Sequence, residues 1–128
     1  MIAVDWGTSS LRAYLLDSDG TIVEKRAAAL GIMQVADGAF SQALMSQIGP
    51  WLSRGESQVL MSGMIGARQG WVEAPYCECP AGFAQIARGL KAVTWDRHTA
   101  WIAPGVSGFD AAGVRDVMRG EELQILGA

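Results

Sequence analysis

The chain has 128 residues, half of them hydrophobic and 18% charged, with ten Lys or Arg against thirteen Asp or Glu for a formal charge of −3. That is the composition of one globular domain able to bury a real core, and it excludes intrinsic disorder. The absence of a basic run argues against nucleic acid, no apolar stretch reaches the roughly 20 residues of a membrane span, and Met1 to Asp5 lacks the basic start of a signal peptide, so the expected compartment is the cytoplasm.

In chain order, Ile2-Ala3-Val4 is a short apolar run, and Leu11, Ala13 and Leu15 alternate with Arg12 and Tyr14. Together they predict strand, tight turn, strand. Asp19-Gly20 suits a second hairpin turn, since Gly accepts positive φ, and a third strand follows from Thr21 to about Ala29. The first turn holds Asp5, Gly7, Thr8, Ser9 and Ser10. Its N–H groups and hydroxyls suit phosphate oxygens, and Asp5 can hold Mg²⁺ directly or through water. An ordinary hairpin whose polar residues only satisfy the turn fits the same spacing.

Asp37-Gly38 can cap a helix in which Phe40, Leu44, Ile48 and Leu52 recur every four residues, with Pro50 predicted to kink it or end it near Gly49. Gln58-Val59-Leu60-Met61 then reads as a buried strand, reached by a crossover, so the sheet is expected to be mixed. Its exit carries Ser62-Gly63-Met64-Ile65-Gly66-Ala67-Arg68-Gln69-Gly70-Trp71-Val72-Glu73-Ala74-Pro75-Tyr76. Glycines, Arg, Gln and aromatics beyond the carboxyl end of a buried strand suit a pocket for a polar substrate. Arg68 can pair with a carboxylate, Gln69 can bond hydroxyls, and Trp71 can pack on a carbon skeleton. Alternatively, Arg68 and Glu73 form a surface ion pair and Trp71 packs under the loop.

Cys77 and Cys79 are two apart, too close for an unstrained disulfide and without a zinc-like ligand set, so both are expected as reduced loop cysteines. A short helix is expected after Pro80 with Phe83, Ile86 and Leu90 inward, Val93 and Trp95 falling at its exit or in a short strand. His98 is assigned to a surface turn, Ala100 to Ala103 to a buried strand, and Val106 to Phe109 to a loop at the pocket's edge. Gly120-Glu121-Glu122 reads as the first turn of a last helix, where carboxylates are favoured.

Three of these stretches carry a resemblance. Asp5-Trp6-Gly7-Thr8-Ser9-Ser10-Leu11-Arg12 resembles the phosphate-binding hairpin of the sugar kinase, heat-shock protein and actin superfamily. Ser62-Gly63 with Arg68-Gln69-Gly70-Trp71, and Asp116 to Ala128, are similar to the 2-dehydro-3-deoxygalactonokinase family in particular. The resemblance covers essentially the whole chain.

It implies a ribonuclease H-like mixed five-stranded sheet, antiparallel hairpins followed by parallel strands, flanked by helices. That sheet would form the first lobe of a two-lobed kinase, residues 1–128 being an N-terminal actin-like ATPase lobe whose C-terminal partner lobe is missing. The implied reaction is ATP- and Mg²⁺-dependent phosphorylation of a 2-keto-3-deoxy sugar acid. Gly7, Thr8, Ser9, Ser10 and Arg12 would hold phosphates, Asp5 the metal, and Arg68, Gln69 and Trp71 the sugar acid. Related carbohydrate kinases have Gly-Asp-Gln where this chain has Gly120-Glu121-Glu122, which puts Glu121 in the place of the catalytic base, with Glu122 as the alternative. The lobe alone is expected to bind ATP weakly and transfer little phosphate. Other readings are a non-catalytic sugar-acid-binding lobe and an ATPase lobe of the actin or heat-shock type. A homo-oligomer is compatible with all of them.

Overall fold

The computed structural model describes residues 1–78, 82–109, 112, 113 and 115–119. Its first three strands, β1 (Ile2–Trp6), β2 (Leu11–Leu16) and β3 (Ile22–Ala28), form an antiparallel meander, with Ile2 opposite Leu15 and Asp5 opposite Arg12. Alternation decides the faces: Ile2, Val4, Trp6, Leu11, Ala13 and Leu15 are buried on one side, while Ala3, Asp5, Arg12 and Tyr14 point to the other. The turn at Gly20 has φ +80°, the conformation that its glycine was expected to supply.

Helix α1 (Phe40–Ser53) covers the apolar face with Leu44, Ile48, Trp51 and Leu52. It differs from expectation at both ends. Ala39, not Asp37, is the N-cap and makes no side-chain cap, and the helix runs through Pro50 to Ser53. Burial of Trp51 and Leu52 beyond the proline outweighs the hydrogen bond that Pro50 cannot donate. The indole N–H of Trp51 and the guanidinium of Arg54 both donate to Glu24 on β3, at 2.8 and 2.6 Å, tying the helix end to the edge strand.

The next strand, β4 (Val59–Ser62), runs parallel to β1, placing Ser62 beside Asp5. After the two-residue β5 (Cys77–Glu78) and helix α2 (Phe83–Arg88), β6 (Lys91–Trp95) and β7 (His98–Ile102) form a hairpin whose second strand pairs parallel with β4. The main sheet is therefore mixed, as expected, but six-stranded, in the order β3-β2-β1-β4-β7-β6. The added strand is the one that Val93 and Trp95 only hinted at, because its turn lacks glycine: Asp96 takes φ 48° instead.

Further departures follow from pairing. His98 lies in β7 with its ring 5.4 Å from that of Trp95, rather than in a free turn. Val106–Phe109 is strand β8, not a loop, and with β5 and β9 (Arg115–Met118) it makes a second, three-stranded sheet. Cys77 accordingly sits in a strand, while Cys79 lies outside the described residues. Phe83, expected inward, is exposed, and Ile86 is the buried residue of α2. No helix among the described residues is long and apolar enough to cross a membrane.

Candidate functional site

The carboxyl ends of β1 and β4 meet at a turn and a loop. In the turn, the Gly7 N–H donates to the Ser10 carbonyl at 2.9 Å, which closes the link between β1 and β2. Thr8 and Ser9 are exposed, and their hydroxyls have no hydrogen-bond partner among the described residues. Such a turn presents donors outward, as an anion-binding turn must.

A short strap holds the turn from behind. The Trp6 indole N–H donates to the Leu30 carbonyl at 2.8 Å, the Ile32 N–H to Gly7 at 3.0 Å and the Met33 N–H to Thr8 at 3.2 Å. Gly31 lies so close that a Cβ there would sit 2.2 Å from the Thr8 carbonyl oxygen and 2.3 Å from the Ser9 nitrogen. Only glycine permits that approach. Nothing local to residues 31–33 indicates what packs against them, so this role of Gly31 is not legible in the sequence.

Register places Arg12, Asp5 and Ser62 side by side on the face opposite the main core. The half-buried Asp5 carboxylate makes no hydrogen bond or ion pair among the described residues, and neither does the exposed Arg12 side chain. An open depression of about 320 Å³ adjoins this row, lined by Ser9, Ser10, Arg12 and Ala27, Ala28 and Ala29. Larger hollows of about 480 and 520 Å³ lie at the other end of the strands around Met1 and Gln58, and none of the expected site residues lines them.

Gly63 joins β4 to the loop at φ +101°, with its backbone against β1: a Cβ would lie 2.7 Å from the Trp6 carbonyl oxygen and 3.4 Å from Asp5 Oδ1. The following loop is closed at its neck by the Ala74 N–H donating to Gly66 at 2.8 Å. It is folded inside by the Trp71 N–H to Ile65 at 2.9 Å and the Gly70 N–H to Ala67 at 2.9 Å. Gly70 is packed against the Ile65 carbonyl, again where a Cβ would not fit.

This loop divides its residues sharply. Arg68 and Gln69 are exposed at the tip, and Arg68 has no ion pair among the described residues, so the Arg68–Glu73 alternative is not formed. Trp71 is half-buried and packs between Phe40, stacked at 6.3 Å, and Trp95, tilted at 5.3 Å. Phe40 in turn meets Trp6 edge-on at 5.9 Å. Trp71 thus anchors the loop to the core by an aromatic column, the packing alternative that its sequence position allowed. Glu121 and Glu122 lie outside the described residues.

One carboxylate suffices for Mg²⁺ when phosphate oxygens and water complete the octahedron, so the lone Asp5 fits a metal carried in with a nucleotide and does not fit an all-protein metal cage. No group of three or more His, Cys, Asp or Glu among the described residues could hold a metal ion. Exposed hydroxyls on the turn and an exposed guanidinium on the loop are groups whose chemistry suits anions.

The chain is similar to known proteins over nearly its whole length. Residues 5–128 match the family described as 2-keto-3-deoxy-galactonokinase. A Rhizobium meliloti protein named as a probable 2-dehydro-3-deoxygalactonokinase is 40% identical over 126 residues, covering 98% of this chain and 41% of its own length. The 2-dehydro-3-deoxygalactonokinase of Escherichia coli is 36% identical over 129 residues, covering 99% of this chain and again 41% of its own length. A crystal structure from Sinorhizobium meliloti, provisionally described as the same enzyme, superposes with a TM-score of 0.85 at 39% identity, over 98% of this chain and 42% of that one. The chain thus spans about two fifths of the length of the relatives it matches.

Proposed function

The chain belongs to the 2-keto-3-deoxy-galactonokinase family, and we propose that it is the first lobe of a cytoplasmic kinase that transfers phosphate from ATP to 2-dehydro-3-deoxygalactonate in galactonate catabolism. The second lobe would lie in the part of the relatives' length beyond this match. The observation that carries the reading is the meeting of β1 and β4, where Gly63 sets the start of the Arg68 loop against Trp6 and Asp5.

Each residue then has a task. The N–H groups and hydroxyls of Thr8, Ser9 and Ser10 bind phosphate oxygens, with Gly7 keeping the turn tight and Arg12 adding positive charge at the rim of the depression. Asp5 orients the metal. Nucleotide-bound Mg²⁺ supplies the charge that offsets the negative charge developing on the transferred group. Arg68 pairs with the substrate carboxylate, a group that neutral sugars lack, and Gln69 bonds substrate hydroxyls. Trp71 supports that loop from the core side. Glu121, at the place where other carbohydrate kinases carry the Asp of Gly-Asp-Gln, takes the proton of the attacking hydroxyl. Phosphoryl transfer asks for positioning and electrostatic stabilisation rather than a covalent nucleophile, and these residues supply such functions.

The test is ATP-dependent phosphorylation of 2-dehydro-3-deoxygalactonate by the full-length protein, with Arg68→Ala beside it. Arg68→Ala is expected to raise KM for the sugar acid by about tenfold or more, the loss of a charge-assisted contact. A wild-type protein that phosphorylates no sugar acid would refute the reading, and an unchanged KM in Arg68→Ala would refute the carboxylate assignment. The intact mass of the native protein supplies a separate check, since a two-lobed kinase must be far longer than 128 residues.

A further inference from the structure

Arg119 follows β9 and reaches across to the neck of the Arg68 loop. Its Nη2 donates to the Ala74 carbonyl at 2.7 Å, and its guanidinium carbon lies 4.5 Å from the centre of the Tyr76 ring. On the other side of the neck, a Cβ on Gly66 would be 2.6 Å from Arg119 Nη1 and 2.7 Å from Ile102 Cγ2, so a side chain at residue 66 would push the guanidinium from this position. One cation therefore touches both ends of the loop at the place where the Ala74 N–H closes it onto Gly66.

Among the described residues, only the Ala74 carbonyl and the Tyr76 ring compensate this charge. Among the same residues, the buried Arg119 Nε and Nη1 have no hydrogen-bond partner and no acidic group pairs with Arg119. Desolvating a guanidinium in this way is unfavourable, and an apolar side chain of similar length would fill the same space without that cost. The feature is therefore more than a plug.

We propose that Arg119 is a positioning residue for the sugar-acid loop: it clamps the neck formed by Gly66, Ala74 and Tyr76, and so holds Arg68 and Gln69 at the tip where an anionic sugar acid is received. The role in substrate binding rests on the kinase reading given above. The clamp itself does not. Arg119 also immediately precedes Gly120-Glu121, so the same residue links the loop that receives the acceptor to the stretch assigned to the base.

The experiment compares wild type, Arg119→Lys and Arg119→Met in the full-length protein by two readouts. Hydrogen exchange without substrate follows the Trp71 and Ala74 amides. Steady-state kinetics with 2-dehydro-3-deoxygalactonate and ATP separates the two KM values. Arg119→Met is expected to speed exchange at both amides by about tenfold and to raise KM for the sugar acid by about tenfold, with KM for ATP within about twofold of wild type. Arg119→Lys, which keeps the charge and loses the planar fork, falls between. Should Arg119→Met fail to fold, Arg119→Lys and Tyr76→Leu carry the same comparison. Unchanged exchange in a folded variant overturns the clamp, and faster exchange with an unchanged sugar-acid KM overturns its part in substrate positioning. A wild-type protein inactive on the sugar acid refutes the kinase reading instead, and exchange alone then decides the clamp.

Discussion

Replacing Gly31 with Ala tests whether the strap from Leu30 to Met33 is what shapes the phosphate turn. The backbone at Gly31 has φ −69°, open to any residue, so the effect is steric and not conformational. The new methyl would lie 2.2 Å from the Thr8 carbonyl oxygen and 2.3 Å from the Ser9 nitrogen, both backbone atoms that cannot rotate away. Relief requires strap and turn to separate by about 1 Å or more. That movement stretches the Ile32 N–H to Gly7 and Met33 N–H to Thr8 bonds, now 3.0 and 3.2 Å. At about 0.5–1.5 kcal/mol net for each bond, the loss is about 1–3 kcal/mol. For a domain of this size that lowers Tm by roughly 4–12 °C. The assay is thermal unfolding followed by tryptophan fluorescence, with nucleotide affinity measured on the full-length protein below the transition. Affinity should fall as well, because Thr8 and Ser9 are displaced directly. An unchanged Tm together with unchanged nucleotide affinity would refute the reasoning.

Other perturbations probe separate parts of the molecule. Asp5 has no partner among the described residues, so Asp5→Asn should leave stability within about 0.5 kcal/mol of wild type while removing most Mg²⁺-dependent turnover of the full-length protein; full turnover would end the metal assignment. At the β6–β7 turn, Asp96 has φ 48°, and Asp96→Val should cost about 1–2 kcal/mol whereas Asp96→Gly is tolerated. Equal urea midpoints for the two variants would contradict the strain argument. Glu24 is held below its ordinary value of 4.5, first by the hydrogen bond from Arg54 and then by that from Trp51. A lowered folded-state pKa means that the unfolded state binds more protons in acid, so this contribution is complete above pH 4.5 and fades as pH falls through the folded value. The stability gap between wild type and Glu24→Gln should therefore narrow below pH 4.5, and a gap independent of pH would show that the pair is not coupled to folding.

Neighbouring residues alone are enough to read the hairpin, the buried strand β4 and the face that α1 covers. These follow from local periodicity: Leu11, Ala13 and Leu15 alternate at period two, and Leu44, Ile48 and Leu52 recur at a helical spacing. The polar turn after Asp5 and the glycine-rich exit of β4 were legible for the same reason, because turn chemistry is written in adjacent residues. What the tertiary structure alone decided involves residues far apart in the chain. Gly31 looks like any loop glycine until its backbone is found against Thr8, and nothing near Trp71 in the sequence places it between Phe40 and Trp95. The sixth strand escaped because a two-residue turn with Asp96 at positive φ carries no glycine to announce it. Arg119 is one polar residue among several in its stretch of sequence until Gly66, Ala74 and Tyr76 gather round its guanidinium. Periodicity reports which face of an element is apolar, but not which distant backbone or ring meets it, and those meetings shape this site.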